Sequence, residues 1–339
     1  TAVETVTYTV TPIGPGTPTC PGTPVDFVVT VNPTPIITPV ANQVCLNSTV
    51  VWTGSATAGS PAWSIISGPG SVTFGADASA NPVTLTGTSL GNVTIQYEND
   101  NGCVITDILA VLPLPSVTSF IPVTTPICFN GTAEWDIVAT PNSDIDYTIT
   151  GGPGGSGQVT TDAFGDATIT LNTVTSDVTV TLTQIDNGSC VFTLNLPQQI
   201  AVIPAPTMND PADIIVCGGI AYDPNGFVIS PASSGYAESY QWTNNNTGIG
   251  LGASGSGQIN STTAPANSTG SPIIGTIQVT PYLGTCAGTP QTFIVTINPT
   301  PLMDDPADIG PICNGAAVDP TAFIGNANAP VTTSYSWSN

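Results

Sequence analysis

Cationic side chains are absent from this sequence. Its 339 residues contain no Lys, no Arg and no His, against 22 Asp and Glu, for a formal charge of −22. Nucleic acids and anionic lipid surfaces are bound largely through Lys and Arg, so the composition argues against both as partners. We also predict no direct membrane insertion. Ser-His-Asp and Cys-His nucleophilic sites, Schiff-base lysines and His-ligated metals cannot form within this chain.

Charge of either sign is scarce, yet the chain is not a disordered one. Only 6% of residues are charged while 40% are hydrophobic, which is enough apolar material for packed cores. The few acids are scattered rather than paired as a glycosidase would need, so we predict no catalytic residues and no enzyme activity. Without salt bridges, apolar burial, backbone pairing and disulfides must hold the fold together.

The hydrophobic pattern is that of β-strands. Val25, Phe27, Val29 and Val31 alternate with residues of the other face, and residues 178–183 and 293–297 follow the same period of two. No window has an apolar period of 3.6 residues. With 35 Gly and 33 Pro to supply turns, the sequence predicts an all-β fold.

Internal repeats are the strongest signal in the chain. Residues 206–242 recur at 301–337, and residues 10–35 recur at 279–301. Pro-rich junctions separate the units at 32–35, 112–115, 203–206 and 298–301. The pattern predicts tandem immunoglobulin-like β-sandwich repeats in an extended array, as a piece of a longer one. The predicted units are 1–34 (the C-terminal part of a repeat), 35–115, 116–205, 206–300, and 301–339 (the N-terminal part of the next repeat).

Eight cysteines are spaced in alternating short and long gaps. They stand at Cys20, Cys45, Cys103, Cys128, Cys190, Cys217, Cys286 and Cys313. No two lie two to four residues apart, so zinc is a poor explanation, and a disulfide framework in an extracellular setting fits better.

Two pairing schemes are open. One forms bridges within units, Cys45–Cys103, Cys128–Cys190 and Cys217–Cys286, and leaves Cys20 and Cys313 to partners outside this sequence. The other crosses unit boundaries, as Cys20–Cys45, Cys103–Cys128, Cys190–Cys217 and Cys286–Cys313. The second scheme needs the two ends of a strand–linker–strand path to meet, so we favour the first.

Tryptophans and aspartates are the candidate binding residues. Trp52, Trp63, Trp135, Trp242 and Trp337 could stack on sugars, but we predict that they pack in the cores. Asp210, Asp213, Asp304, Asp305 and Asp308 lie at unit junctions and are calcium candidates, although they offer fewer than the six or seven ligands that calcium takes. Asp144, Asp146, Asp162 and Asp166, beside a Gly-rich loop, are weighed in the same way. Calcium is the one cofactor considered; otherwise none is predicted.

Particular stretches resemble known surface repeats. Residues 242–301 are similar to the PKD-like repeat of large Bacteroidota surface proteins, which makes 206–300 a PKD-like repeat. Residues 312–339 and 99–107 resemble the CNG…YSWSN…NGC pattern of gliding-motility adhesins of the SprB type. The resemblance implies type IX secretion, a long multi-repeat parent at the cell surface, attachment or gliding, and pairing of the two cysteines within each repeat. It transfers no catalytic residues.

The expected function is therefore a structural repeat segment of a large secreted cell-surface adhesin or filament, acting as a disulfide-stapled spacer. Its partners would be neighbouring repeats of the same chain, surface polysaccharides or abiotic surfaces, and the secretion and motility machinery of the outer membrane. Two alternatives are an accessory, non-catalytic array on a secreted polysaccharide-active enzyme and a subunit of a pilus-like fibre.

Overall fold

The computed structural model describes residues 3–55, 61–75, 77–231, 235–301, 303, 305–317, 334 and 336–338. Strands dominate these ranges, and their one helical element is a short 3-10 turn, η1 (Thr247–Ile249). This confirms the all-β prediction. Within the same ranges, no helix has the length and apolar character needed to cross a membrane.

The chain begins with an isolated hairpin. Strands β1 (Glu4–Val10) and β2 (Val25–Val31) pair antiparallel, from Glu4 opposite Val31 to Val10 opposite Val25. No other strand of the described residues joins this two-stranded sheet. Both of its faces are largely exposed.

Residues 37–112 form the first sandwich. Its strands are β3 (Ile37–Pro39), β4 (Gln43–Cys45), β5 (Thr49–Gly54), β6 (Ala62–Ser67), β7 (Ser71–Phe74), β8 (Val83–Ser89), β9 (Gly91–Glu98) and β10 (Val104–Leu112). They make two sheets with the orders β3-β5-β8-β7 and β4-β10-β9-β6. Alternate residues of β5, Val50, Trp52 and Gly54, face inward and are buried, as a period of two requires. The apolar faces of the two sheets enclose one core around Trp52, Leu85 and Ile95.

Residues 117–203 form the second sandwich. Its strands are β11 (Val117–Pro122), β12 (Ile127–Cys128), β13 (Gly131–Ala139), β14 (Asp144–Gly151), β15 (Gly155–Thr160), β16 (Asp166–Val174), β17 (Val178–Asp186), β18 (Val191–Ile200) and β19 (Val202–Ile203). The sheets β11-β13-β16 and β15-β14-β17-β18 face each other, and β12 pairs with β19. Trp135, Ile145 and Leu182 are fully buried between them.

Residues 207–298 form the third sandwich. Its strands are β20 (Thr207–Met208), β21 (Ile214–Cys217), β22 (Ala221–Tyr222), β23 (Ile229–Ser230), β24 (Glu238–Asn244), β25 (Ser254–Ser256), β26 (Thr262–Thr263), β27 (Ile273–Leu283), β28 (Cys286–Ala287) and β29 (Gln291–Asn298). The large sheet runs β21-β29-β27-β24-β25, with β28 paired to β27, and two short pairs, β20-β23 and β22-β26, complete the layer opposite. Phe227, Ile277 and Phe293 lie in the core.

One topology is common to the three sandwiches. In each, a short early strand runs parallel to the last strand, as β4 with β10, β12 with β19 and β21 with β29. Each sandwich also has an antiparallel hairpin near its end, β9 with β10, β17 with β18 (which β19 follows) and β27 with β29. Two facing sheets with this connectivity are an immunoglobulin-like sandwich, so the predicted fold class is confirmed. The exact unit limits stay a prediction.

Candidate functional site

Disulfides join neighbouring sandwiches. Cys45 of the first is bonded to Cys190 of the second, with Cα atoms 5.8 Å apart. Cys128 of the second is bonded to Cys286 of the third, with Cα atoms 5.5 Å apart. Both separations are ordinary for a disulfide. Each joint between two complete sandwiches is therefore covalently bridged.

The predicted pairings are wrong. Neither the within-unit bridges Cys45–Cys103, Cys128–Cys190 and Cys217–Cys286 nor the boundary bridges Cys20–Cys45, Cys103–Cys128, Cys190–Cys217 and Cys286–Cys313 form. The reason for the first failure is the strand between the two cysteines of a unit. Cys103 directly precedes β10, whereas Cys45 pairs with Leu112 at its far end, roughly 25–30 Å away at ~3.3 Å per residue.

The boundary scheme fails in the structure because it uses the wrong ends of neighbouring units. For example, it pairs Cys103, in the last hairpin of the first sandwich, with Cys128, in an early strand of the second. The joint between these sandwiches is at Cys45 and Cys190, so Cys103 and Cys128 lie at the ends that face away from it. Cys20, Cys103, Cys217 and Cys313 have no disulfide partner in the structure. That Cys20 and Cys313 bond partners outside this sequence stays a prediction.

One cysteine of each sandwich ends a parallel ladder, and in the first two sandwiches, at Cys45 and Cys128, it is bridged. These ladder cysteines are Cys45, Cys128 and Cys217, whose register partners are Leu112, Ile203 and Asn298. In all three, the next residue donates its N–H to the carbonyl of that register partner: Leu46 to Leu112 at 2.9 Å, Phe129 to Ile203 at 2.9 Å and Gly218 to Asn298 at 3.2 Å. The backbone thus fixes the sulfur at the end of the last strand.

A tight turn follows every ladder cysteine. Two residues on, Asn47, Asn130 and Gly219 have φ of 65°, 63° and 85°. Asn and Gly tolerate this left-handed region better than other residues, which explains their presence there. Asn or Gly two residues after the cysteine is visible in the sequence, but this signal for a turn did not enter the predictions above.

The other cysteine of each sandwich lies in its last hairpin, and in the second and third sandwiches, at Cys190 and Cys286, it is bridged. These hairpin cysteines are Cys103, Cys190 and Cys286. The Asn99 side-chain oxygen accepts the N–H of Cys103 at 3.0 Å, and the Asn187 oxygen accepts the N–H of Cys190 at 2.8 Å. Cys286 pairs with Leu283 in the β27–β28 turn. Because the hairpin and the ladder end are opposite ends of the last strand, each sandwich presents one cysteine at either end.

The joint between the second and third sandwiches is also packed. Ile203, at the end of β19, is 3% exposed and belongs to the apolar cluster of the third sandwich together with Leu283 and Cys286. A Cβ atom on Gly288 would overlap the carbonyl oxygen of Pro206, so only glycine allows this approach of hairpin and linker. The bridge therefore reinforces a contact that apolar burial already favours.

The tryptophans serve mainly as core residues. Trp52, Trp63 and Trp135 are buried, which confirms their predicted role, and the indole N–H of Trp52 donates to the Ala41 carbonyl at 2.9 Å. Trp242 is half-buried against the third core. Trp337 is 81% exposed, so the core prediction is wrong there; it lies beyond residues 318–333, which are outside the described part of the chain.

The junction aspartates are not gathered into one site. Asp210, Asp213, Asp305 and Asp308 are exposed, and Asp304 lies outside the described residues. The Asp213 carboxylate accepts the backbone N–H of Ile294 at 2.8 Å, which uses one of its oxygens. Among the described residues no three acidic or thiol side chains converge as a metal site. Calcium binding stays a prediction.

The aspartates near the Gly-rich loop make local hydrogen bonds. Asp144 and Asp146 accept from side chains across the β14–β15 pair, Thr160 at 2.6 Å and Gln158 at 2.8 Å. Asp162 accepts the backbone N–H groups of Asp166 and Phe164, and these bonds, that of Asp166 first, hold the pKa of its carboxyl below the usual value. Asp144, Asp146 and Asp162 therefore act as local hydrogen-bond acceptors in a strand pair and a turn.

Comparison with known proteins adds a fold likeness. No protein-family model matches the chain, and no curated protein sequence matches it. A titin I-band fragment, I67–I69, matches with 13% identity over 80% of this chain and 100% of the fragment, at a TM-score of 0.42. Drosophila N-cadherin EC1–4 matches with 15% identity over 87% of this chain and 83% of that one, at 0.29. At these TM-scores the likeness carries no argument, and the fold assignment depends on the sheets described above.

Proposed function

We propose that this chain is a structural segment of a long extracellular adhesin or filament, built from immunoglobulin-like sandwiches stapled end to end. The observation that carries the proposal is the pair of disulfides Cys45–Cys190 and Cys128–Cys286, each crossing a joint between neighbouring sandwiches. A protein that uses its bridges at the joints, rather than inside its sandwiches, gains control of the geometry between units.

The second sandwich supports an end-to-end arrangement. Cys190 directly precedes β18, and Cys128 pairs with Ile203 at the end of β19. About a dozen residues of extended chain separate these points, or roughly 40 Å at ~3.3 Å per residue. The two neighbours are therefore attached to opposite ends of this sandwich.

Two covalent connections at each joint limit its bending. The peptide linker is one, and the disulfide is the other. A single linker allows two domains to swivel, whereas a second attachment point removes most of those relative orientations. A stiff spacer of this kind would hold a distal binding region away from the cell.

The composition suits a spacer exposed outside the cell. A charge of −22 without any cation makes neighbouring molecules repel each other, and proteases that cut after Lys or Arg find no site. Disulfides persist in oxidising surroundings, which favours an extracellular location. We extend the proposal to a PKD-like adhesin of the SprB type from Bacteroidota, exported by the type IX route and serving attachment or gliding. Surface polysaccharide or abiotic surfaces would be its outer partners.

Immunogold electron microscopy of the producing cells, with antibody raised against the full chain, tests this function. Label strung along thin projections is the expected result, together with weaker attachment of a deletion strain in an adhesion assay. Label found only in shed medium beside a catalytic polypeptide would overturn the proposal and favour an accessory array of a polysaccharide-active enzyme.

A further inference from the structure

The third sandwich carries an unbonded ladder cysteine. Cys217 is exposed and has no disulfide partner, although both other ladder cysteines are bridged. We infer that Cys217 is the third member of the series, and that it bonds the hairpin cysteine of a further immunoglobulin-like sandwich docked on the end of the third one. This inference concerns the assembly of the array and holds whatever the array attaches to.

The local geometry of Cys217 matches the bridged positions. It ends the parallel β21–β29 ladder opposite Asn298, as Cys45 and Cys128 end theirs. Its carbonyl accepts the N–H of Ile220 at 3.2 Å, and the Cys45 carbonyl accepts the N–H of Ser48 at 2.9 Å in the same way. The backbone therefore holds the Cys217 sulfur at the end of its sandwich, where the two bonded ladder cysteines lie in theirs.

The kind of partner follows from the two bridges that exist. Both Cys190 and Cys286 belong to a last hairpin, so a ladder cysteine takes a hairpin cysteine in each case. The β1–β2 hairpin shows that the required partner shape recurs. There the N–H of Gly22 donates to the Pro12 carbonyl at 2.7 Å, as Gly288 donates to Pro281 at 2.8 Å in the bonded hairpin, and Cys20 precedes Gly22 as Cys286 precedes Gly288.

No other cysteine of the third or following unit meets this requirement. Cys286 is already bonded to Cys128. Cys313 has the features of a ladder cysteine, because Gly315 has φ of 91° and the N–H of Ala316 donates to the Cys313 carbonyl at 3.0 Å. A ladder cysteine bonded to a ladder cysteine would break the rule that both observed bridges follow.

The bond forms by thiol–disulfide exchange with a small disulfide such as glutathione disulfide. The Cys217 thiolate attacks one sulfur of the oxidant and expels a glutathione thiolate. The thiolate of the hairpin cysteine then attacks the mixed disulfide at the Cys217 sulfur and expels the second glutathione. Two protein thiols and one small disulfide yield one protein disulfide and two small thiols, so electrons and protons balance.

One inserted unit tests the inference in the full chain. A second copy of residues 206–300, placed directly after Thr300, joins Thr300 to a proline as in the natural sequence. The protein is oxidised with glutathione disulfide at low concentration and denatured, and its free thiols are counted by alkylation and intact mass. The uninserted chain should show its two bridges and four free thiols.

Two matched serine variants of the inserted chain then give opposite results under the two pairing rules. If ladder and hairpin cysteines bond across joints, Cys217→Ser removes one bridge and adds one free thiol, while serine at the inserted copy of the same cysteine removes one free thiol and no bridge. If the inserted unit bonds its own two cysteines, the results are exchanged and the inference is overturned. A Cys217 that stays reduced in the inserted chain overturns it as well.

Discussion

The β1–β2 hairpin and the last hairpin of the third sandwich have nearly the same sequence and opposite surroundings. Phe27 in VDFVVTVNPTP corresponds to Phe293 in QTFIVTINPTP, yet Phe27 is 62% exposed and Phe293 only 1%. Both segments form antiparallel hairpins. The alternating pattern is therefore sufficient to specify the strands, whereas burial depends on a facing sheet, which the β1–β2 hairpin lacks in the described residues.

The largest expected effect on this comparison comes from replacing each of the two phenylalanines with alanine. We expect Phe293→Ala to lower the free energy of unfolding by about 3–5 kcal/mol, because it leaves a cavity among Phe227 and other core residues. Phe27→Ala should change it by less than about 0.5 kcal/mol, as surface substitutions usually do. Denaturant titration followed by tryptophan fluorescence measures both. Equal losses would mean that the first hairpin is packed against something in solution.

Removing a bridge should have the next largest effect. Serine at both Cys128 and Cys286 is expected to cost roughly 2–4 kcal/mol, since the long loop between them is no longer constrained in the unfolded chain. Cys217→Ser, the matched variant at an unbridged ladder position, should leave stability unchanged. Calorimetry measures the stability of both variants. A loss of stability in Cys217→Ser would contradict the distinction between bridged and unbridged ladder cysteines.

The turn after the ladder cysteine can be tested at Asn130. Its φ of 63° disfavours a Cβ-bearing side chain without a local hydrogen-bonding group, so Asn130→Ala should cost about 1 kcal/mol. Asn130→Gly should cost little or nothing, because Gly219 already occupies this place in the third sandwich. The thermal midpoint of each variant is the measurement. If alanine and glycine behave alike, the backbone conformation is not what selects asparagine.

Alkaline pH should produce the smallest effect, and we consider it for one tyrosine of the third sandwich. Burial raises the pKa of Tyr222 to about 12, and its hydroxyl donates to the Ile249 carbonyl at 2.7 Å. The unfolded chain loses this proton near pH 10, so the stabilisation is complete below pH 10 and is lost as the pH rises towards 12. A decline in the thermal midpoint over that interval, reduced in Tyr222→Phe, is the expected result. An unchanged decline in Tyr222→Phe would exclude this tyrosine.

The sequence allowed the strands and the repeats to be predicted, but not the disulfide pairing. Alternation at Val25–Val31 is a local property, and the strand that it predicts is present in the structure. The connectivity depends on which ends of two sandwiches meet, and spacing alone does not contain that information. The register of Cys45 with Leu112 was needed to show that the two cysteines of one unit lie at opposite ends of a strand.

The resemblance to surface repeats was a better guide to the architecture than to this chemistry. It implied bonds within each repeat, whereas the structure has them between repeats. Trp337 shows a similar limit, because its match with Trp242 predicted a core position that the structure does not give it. Sequence matches indicate equivalent positions, but the environment of a position depends on what is packed around it.

The two bridges overlap along the chain, since Cys128 lies between Cys45 and Cys190 while Cys190 lies between Cys128 and Cys286. A single break in the backbone anywhere between Cys45 and Cys286 therefore lies inside at least one closed loop. The two fragments stay attached, and a fibre of this design would tolerate one nick anywhere inside its closed loops without shedding what lies beyond. The row of sandwiches would then come apart only if the disulfides were reduced as well as the backbone cleaved, or if the backbone were cut twice.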